Sequence, residues 1–148
     1  MRGNSGRLTV ARAMLALLSA YCVALGAVAA FAPRTFYDDF PFFAHWVDML
    51  PPYNEHLIRD VGNYKLAFAI LFAWAAWRPS HQLVVPLASA WSVAALLHGV
   101  YHALHLEGFG AGDAIALTTV LVAALALPAL AIVIAQRESG WPSLGFRS

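Results

Sequence analysis

Four stretches of this chain are long and apolar enough, or nearly so, to cross the hydrocarbon core of a bilayer. They limit the fold more than any other feature. A spanning helix needs about 20 mostly apolar residues. The stretches run over about 8–31, broken only by Arg12, then about 61–77, with Lys65 near its start, then about 83–104 and about 113–135. Lipid offers no hydrogen-bond partners to a backbone, so these segments read as helices rather than strands. The expected fold is all-α: an integral membrane four-helix bundle, one transmembrane domain over 1–148 with an interfacial loop segment at 32–60.

Composition agrees. Of the 148 residues 61% are hydrophobic and 11% charged, against roughly 45–50% and about 25% in soluble domains. A formal net charge of +1 with no basic stripe argues against a nucleic-acid partner. The expected partner is the lipid bilayer, with a membrane protein partner or a homo-oligomer left open. The single cysteine, Cys22, lies inside the first apolar run and reads as a small core residue. That run has arginines in front of it and small residues behind, as a signal peptide would. Its apolar stretch exceeds the usual 7–15 residues of such a peptide, so it reads as a retained helix.

Lysine and arginine in short loops set orientation. Arg2, Arg7 and Arg12 precede the first helix or open it, Arg78 lies between the second and third, and Arg137 and Arg147 follow the fourth. The first loop holds Arg34 and Arg59 against Asp38, Asp39, Asp48, Glu55 and Asp60, and the third holds Glu107 and Asp113 with no cation. Both termini are therefore expected in the cytoplasm, in a multi-pass protein of the cell membrane.

The connections add detail. Arg78-Pro79-Ser80 is a tight turn, which predicts that the second and third helices are antiparallel neighbours. Asp113, after the glycine-rich Gly108-Phe109-Gly110-Ala111-Gly112, predicts an N-cap for the fourth. Pro86 and Pro128 fall inside the third and fourth helices. In the long first loop Phe42, Phe43, Trp46, Val47 and Leu50 recur at helical spacing, which predicts a short interfacial helix ended by Pro51-Pro52. Trp46 would then sit in the outer aromatic belt and Trp77 in the inner one.

The topology gathers five of six histidines, all but His81, on or near the outer side. His98, His102 and His105 fall within roughly a 60° arc of a helix. His56, Asp60 and Asn63 share one face of the second helix, and Glu55 and Arg59 stand at i and i+4 in the favourable order for an ion pair. His45 and Asp48 belong to the interfacial segment. Imidazole is the commonest neutral metal ligand, and carboxylates complete or orient such sites. His98, His102 and His56 are the candidate metal ligands, with His105, His45, Asp60 and Glu55 as further ligands or orienting groups. A transition metal suits this donor set, as does a b-type haem held by His56 and one histidine of the third helix.

The plainer reading is a hydrogen-bonded polar network fastening helices together. Arg59, Asp60 and Lys65 read as a charge network sealing the second helix to its neighbours. Ser19, Ser89 and Ser92 lack any triad spacing and read as close-packing residues.

Three motifs carry a resemblance: Phe36-Tyr37-Asp38-Asp39-Phe40-Pro41, Pro52-Tyr53-Asn54-Glu55-His56-Leu57-Ile58-Arg59-Asp60-Val61-Gly62, and His98-Gly99-Val100-Tyr101-His102-Ala103-Leu104-His105-Leu106-Glu107-Gly108. Together they resemble an uncharacterised family of small actinobacterial four-helix membrane proteins. The general layout, with Arg59 and Gly62 as an Arg-x-x-Gly pair, is similar to the DoxX-like group. The resemblance implies the fold and no particular activity.

The functional expectation is an outer-side pocket of histidines and acids that binds a transition metal or haem, for redox or small-molecule chemistry. The alternatives are a non-catalytic accessory or structural subunit, and a carrier of a small or lipidic solute.

Overall fold

A computed structural model of the chain describes residues 2–49 and 52–137. The described residues are helical, with no strand among them: α1 (Arg2–Phe31), α2 (Pro33–Asp39), α3 (Glu55–Trp77), α4 (His81–Ala103) and α5 (Ala111–Arg137). Three segments, Gly6–Phe31, His81–Ala103 and Ala111–Arg137, are long and apolar enough to cross a membrane, which fits a membrane protein. α3 matches α4 in length at 23 residues. It opens with Glu55, His56, Arg59, Asp60, Asn63 and Lys65 before its apolar half begins.

Local chemistry sets the helix starts. The Asn54 side chain accepts from the Leu57 N–H at 3.1 Å, and that of Ser80 from Leu83 at 3.3 Å, so each occupies one of the donors a helix leaves free at its first turn. Pro33 opens α2, where its missing N–H costs nothing. α5 begins at Ala111, so Asp113 stands in the first turn rather than at the cap.

α1 and α3 pack antiparallel along their lengths. Small residues allow it: a methyl carbon placed on Gly26 would lie 3.0 Å from the carbonyl oxygen of Gly62. Ser19 donates across the pair to the Ala69 carbonyl at 2.8 Å, as its packing role predicts. Ser92 bonds within its own helix to Ala88, and Ser89 is exposed. Leu15, Leu18 and Cys22 of α1 join Phe72, Val84, Trp91 and Ala131 in the core, which bears out the structural reading of the cysteine.

α4 pairs with α5 rather than lying along α3. The tight turn keeps α3 and α4 consecutive, but aromatic bulk holds their backbones apart. Phe68 and Phe72 each meet Trp91 at 5.3 Å between ring centroids, whereas α1 and α3 meet through glycine and alanine. The Trp91 indole N–H donates to the Ala124 carbonyl at 2.9 Å. That carbonyl would normally accept from residue 128, which is proline and has no N–H. Trp91 therefore supplies a hydrogen bond that the helix interior cannot.

The interfacial helix expected from Phe42 onward does not form. Residues 40–43 and 46–49 are turns, and Phe42, Phe43 and His45 have φ of 47°, 67° and 57°. A left-handed backbone is incompatible with a right-handed helix. Among the described residues of this loop the one helix is α2, upstream. Leu50 and Pro51, expected to close the interfacial helix, and Arg147, counted in the orientation, lie outside the described residues.

Candidate functional site

The antiparallel helices bring the C-terminus of α1, the start of α3, the end of α4 and the start of α5 to one end of the molecule. Five histidines share this end, and His81, the first residue of α4, stands at the other. Sharing an end is not sharing a site. His56 contacts Asp60 at 3.4 Å with its side chain 88% exposed, and His45 contacts Asp48 at 3.3 Å. Each pair is local, one turn or less along its own segment. His98 and His102 lie together, their rings edge to face at 4.6 Å. His102 is buried, and its Nδ1 has no hydrogen-bond partner among the described residues.

His105 does not continue their face. α4 ends at Ala103, and His105 folds back to stack on Tyr101 at 4.2 Å, with Nδ1 against the Tyr101 carbonyl at 2.7 Å. Among the described residues no three side chains of histidine, cysteine, aspartate or glutamate are placed to share one metal ion. The three-ligand set His98, His102 and His56 is thus not assembled.

The ion pair of Glu55 and Arg59 forms as expected, at 2.9 Å. Arg59 also donates to the carbonyl of Ala30 in the last turn of α1. Cations suit that position, where helix carbonyls lack partners, so Arg59 does seal α3 to α1. Beside it, Arg34 pairs with Asp38 at 2.6 Å and lies 4.9 Å from the Tyr53 ring. Hydrogen bonding and charge from Asp38 hold the guanidinium above its ordinary range. Loss of solvent, then the Glu55 carboxylate, push the Tyr53 phenol up.

Lys65 departs from the charge-network expectation. Its ammonium rests over the Trp91 ring at 4.2 Å and the Tyr21 ring at 5.5 Å. Among the described residues no carboxylate pairs with it. Cation–π attraction of this kind contributes about 0.5–2 kcal/mol and leaves the positive charge unbalanced.

The loop after α2 crosses the end of the bundle. The Trp46 indole N–H donates to Asp113 at 3.0 Å. This ties the loop after α2 to α5 as a strap fastened by Trp46. Between this strap, α2 and α1 lies a groove of about 440 Å³ whose walls include Tyr21, Leu25, Val28, Phe40, Phe42 and Phe43. Thr35 and Asp39 are the polar residues of α2 on its lining. Phe42 and Phe43 are 97% and 77% exposed. Nothing in the sequence pattern marks this groove, because its walls come from three segments whose relative placement is tertiary. The signal that was available is the run of aromatics around Pro41.

Comparison of the chain with protein-family models, with curated proteins and with solved structures finds no match.

Proposed function

We propose that the chain is a four-span protein of the cell membrane, α3 being the fourth span, and that it binds and carries a lipidic solute in the groove between α1, α2 and the Phe40–Phe43 strap. The groove carries this reading. Its volume of about 440 Å³ falls in the usual range for ligand pockets, about 300–1,000 Å³. Its lining is almost wholly apolar, and Phe42 and Phe43 on its wall are exposed.

Several observations support α3 as a span. At about 1.5 Å per residue its length suffices for the hydrocarbon core. Its outward side chains are large and mostly apolar, among them Ile70, Leu71, Trp74 and Trp77. Its charged residues gather at the end that the arginine count assigns to the outside. Both termini are then cytoplasmic. Labelling single cysteines placed at Asp48 and after Ser148, in a Cys22→Ala background, tests this. Reaction from outside at the C-terminal position would overturn the orientation.

The binding test is extraction and mass spectrometry of lipids that stay with the detergent-purified protein. A lipidic species retained near one per chain, and lost on Ala24→Trp, is the expected result. Retention unaffected by a tryptophan in the groove would overturn the reading. No retained species at all would favour a non-catalytic accessory or structural subunit.

The adjacency of His98 and His102, with an unpartnered ring nitrogen, favours a second reading. In it the pair binds a transition metal, with further ligands from outside the chain.

A further inference from the structure

The charged groups at the start of α3 are matched with one exception. Glu55 holds Arg59 at 2.9 Å, and Asp60 lies 3.4 Å from His56. Lys65, ten residues into the helix and so about 15 Å along its axis, has no carboxylate among the described residues. Two ring faces hold it, Trp91 at 4.2 Å and Tyr21 at 5.5 Å. Charged groups at membrane depth pair with one another or with the species the site is built for.

Tyr21 links this cation to the groove. Its ring lines the groove together with Leu25 and Val28 and also contacts the Lys65 ammonium. Lys65, itself off the lining, therefore stands behind the Tyr21 end of the groove, a cation with no carboxylate partner among the described residues. We infer that the groove's solute is an amphiphile with a single carboxylate head, and that Lys65 is the residue that recognises that head. This rests on the groove reading above.

The donors present suit a carboxylate better than a phosphate. Phosphate sites gather several donors, such as an arginine fork or a helix N-terminus. Here there is one ammonium, with no arginine beside it, and α3 and α4 begin at Glu55 and His81, well away from it.

The test uses the full chain in nanodiscs, a fluorescent long-chain polyene fatty acid, and the methyl ester of the same acid. Wild-type protein should bind the acid at least about tenfold tighter than the ester, the least expected of a hydrogen bond to a charged partner. Lys65→Met should remove that preference while ester binding persists, and Lys65→Arg should restore most of it. Ala24→Trp should abolish binding of both probes. Equal wild-type affinity for acid and ester overturns the assignment of the head, needs no variant to fold, and leaves the groove reading standing. A wild-type preference that survives in Lys65→Met also overturns it. Binding of neither probe to wild type overturns the groove reading, and this inference falls with it.

Discussion

Gly62 of α3 lies against Ala30 of α1 so closely that a methyl carbon on Gly62 would be 2.8 Å from the Ala30 Cα. Ala30 is also the residue whose carbonyl accepts from Arg59, one turn earlier on α3. The Arg-x-x-Gly pair is therefore a docking device: glycine admits the backbone of α1 and arginine occupies its terminal carbonyl. Gly62→Ala should destabilise the protein by about 1–3 kcal/mol, the usual cost of overpacking, read as the shift in an unfolding curve in detergent. Gly99→Ala is the control, because nothing lies within 4 Å of the added carbon there.

Trp91 and Pro128 should be energetically coupled. Trp91→Phe keeps a ring in the core but leaves the Ala124 carbonyl without its donor. The expected cost is about 1 kcal/mol, at the low end of the range for an unsatisfied acceptor because this one is only partly buried. Pro128→Ala supplies an N–H to the same carbonyl, so it should recover more stability in the Trp91→Phe background than in wild type. A double-mutant cycle measures this. Strict additivity would show that the Trp91 bond contributes nothing specific.

The strap should open when Trp46 loses its partner. Asp113→Ala removes the acceptor at 3.0 Å, while Asp113→Asn keeps one oxygen. Amide hydrogen exchange over residues 42–49 should quicken by roughly tenfold in the alanine variant, and less in the asparagine variant. Equal protection in both would assign the loop's order to its packing alone.

The histidines should behave as one pair and four bystanders. Added zinc or copper should bind weakly and be lost with either His98→Ala or His102→Ala. His56→Ala should leave binding unchanged, since His56 belongs to a separate contact with Asp60, and His81→Ala, at the other end of α4, should do the same. Isothermal titration reads the affinities. A dependence on His56 as strong as on His102 would restore the three-ligand site.

Much of the architecture was legible in single residues. The turn at Arg78-Pro79-Ser80 separates α3 from α4 by local chemistry that needs no tertiary context. The Glu55–Arg59 pair and the His56–Asp60 contact follow from helical spacing alone. Periodicity at Phe42, Phe43 and Trp46 resembles a helix face, which is why the sequence predicts an interfacial helix there. Left-handed backbone at Phe42 and Phe43 and the Trp46 bond to Asp113 impose a different course.

The sequence by itself determined that the described chain would be helical, where three long apolar helices would run, and which end the histidines would share. These follow from apolar run length, cap chemistry and alternation of direction, all carried within one segment or its turn. Only the tertiary structure decided which helices pair. Small residues let α1 meet α3, while Phe68, Phe72 and Trp91 hold α3 off α4, a balance of side-chain sizes across elements that no single segment contains. That pairing left Lys65 between two rings with no carboxylate partner among the described residues, and formed a groove whose walls are brought together only by folding.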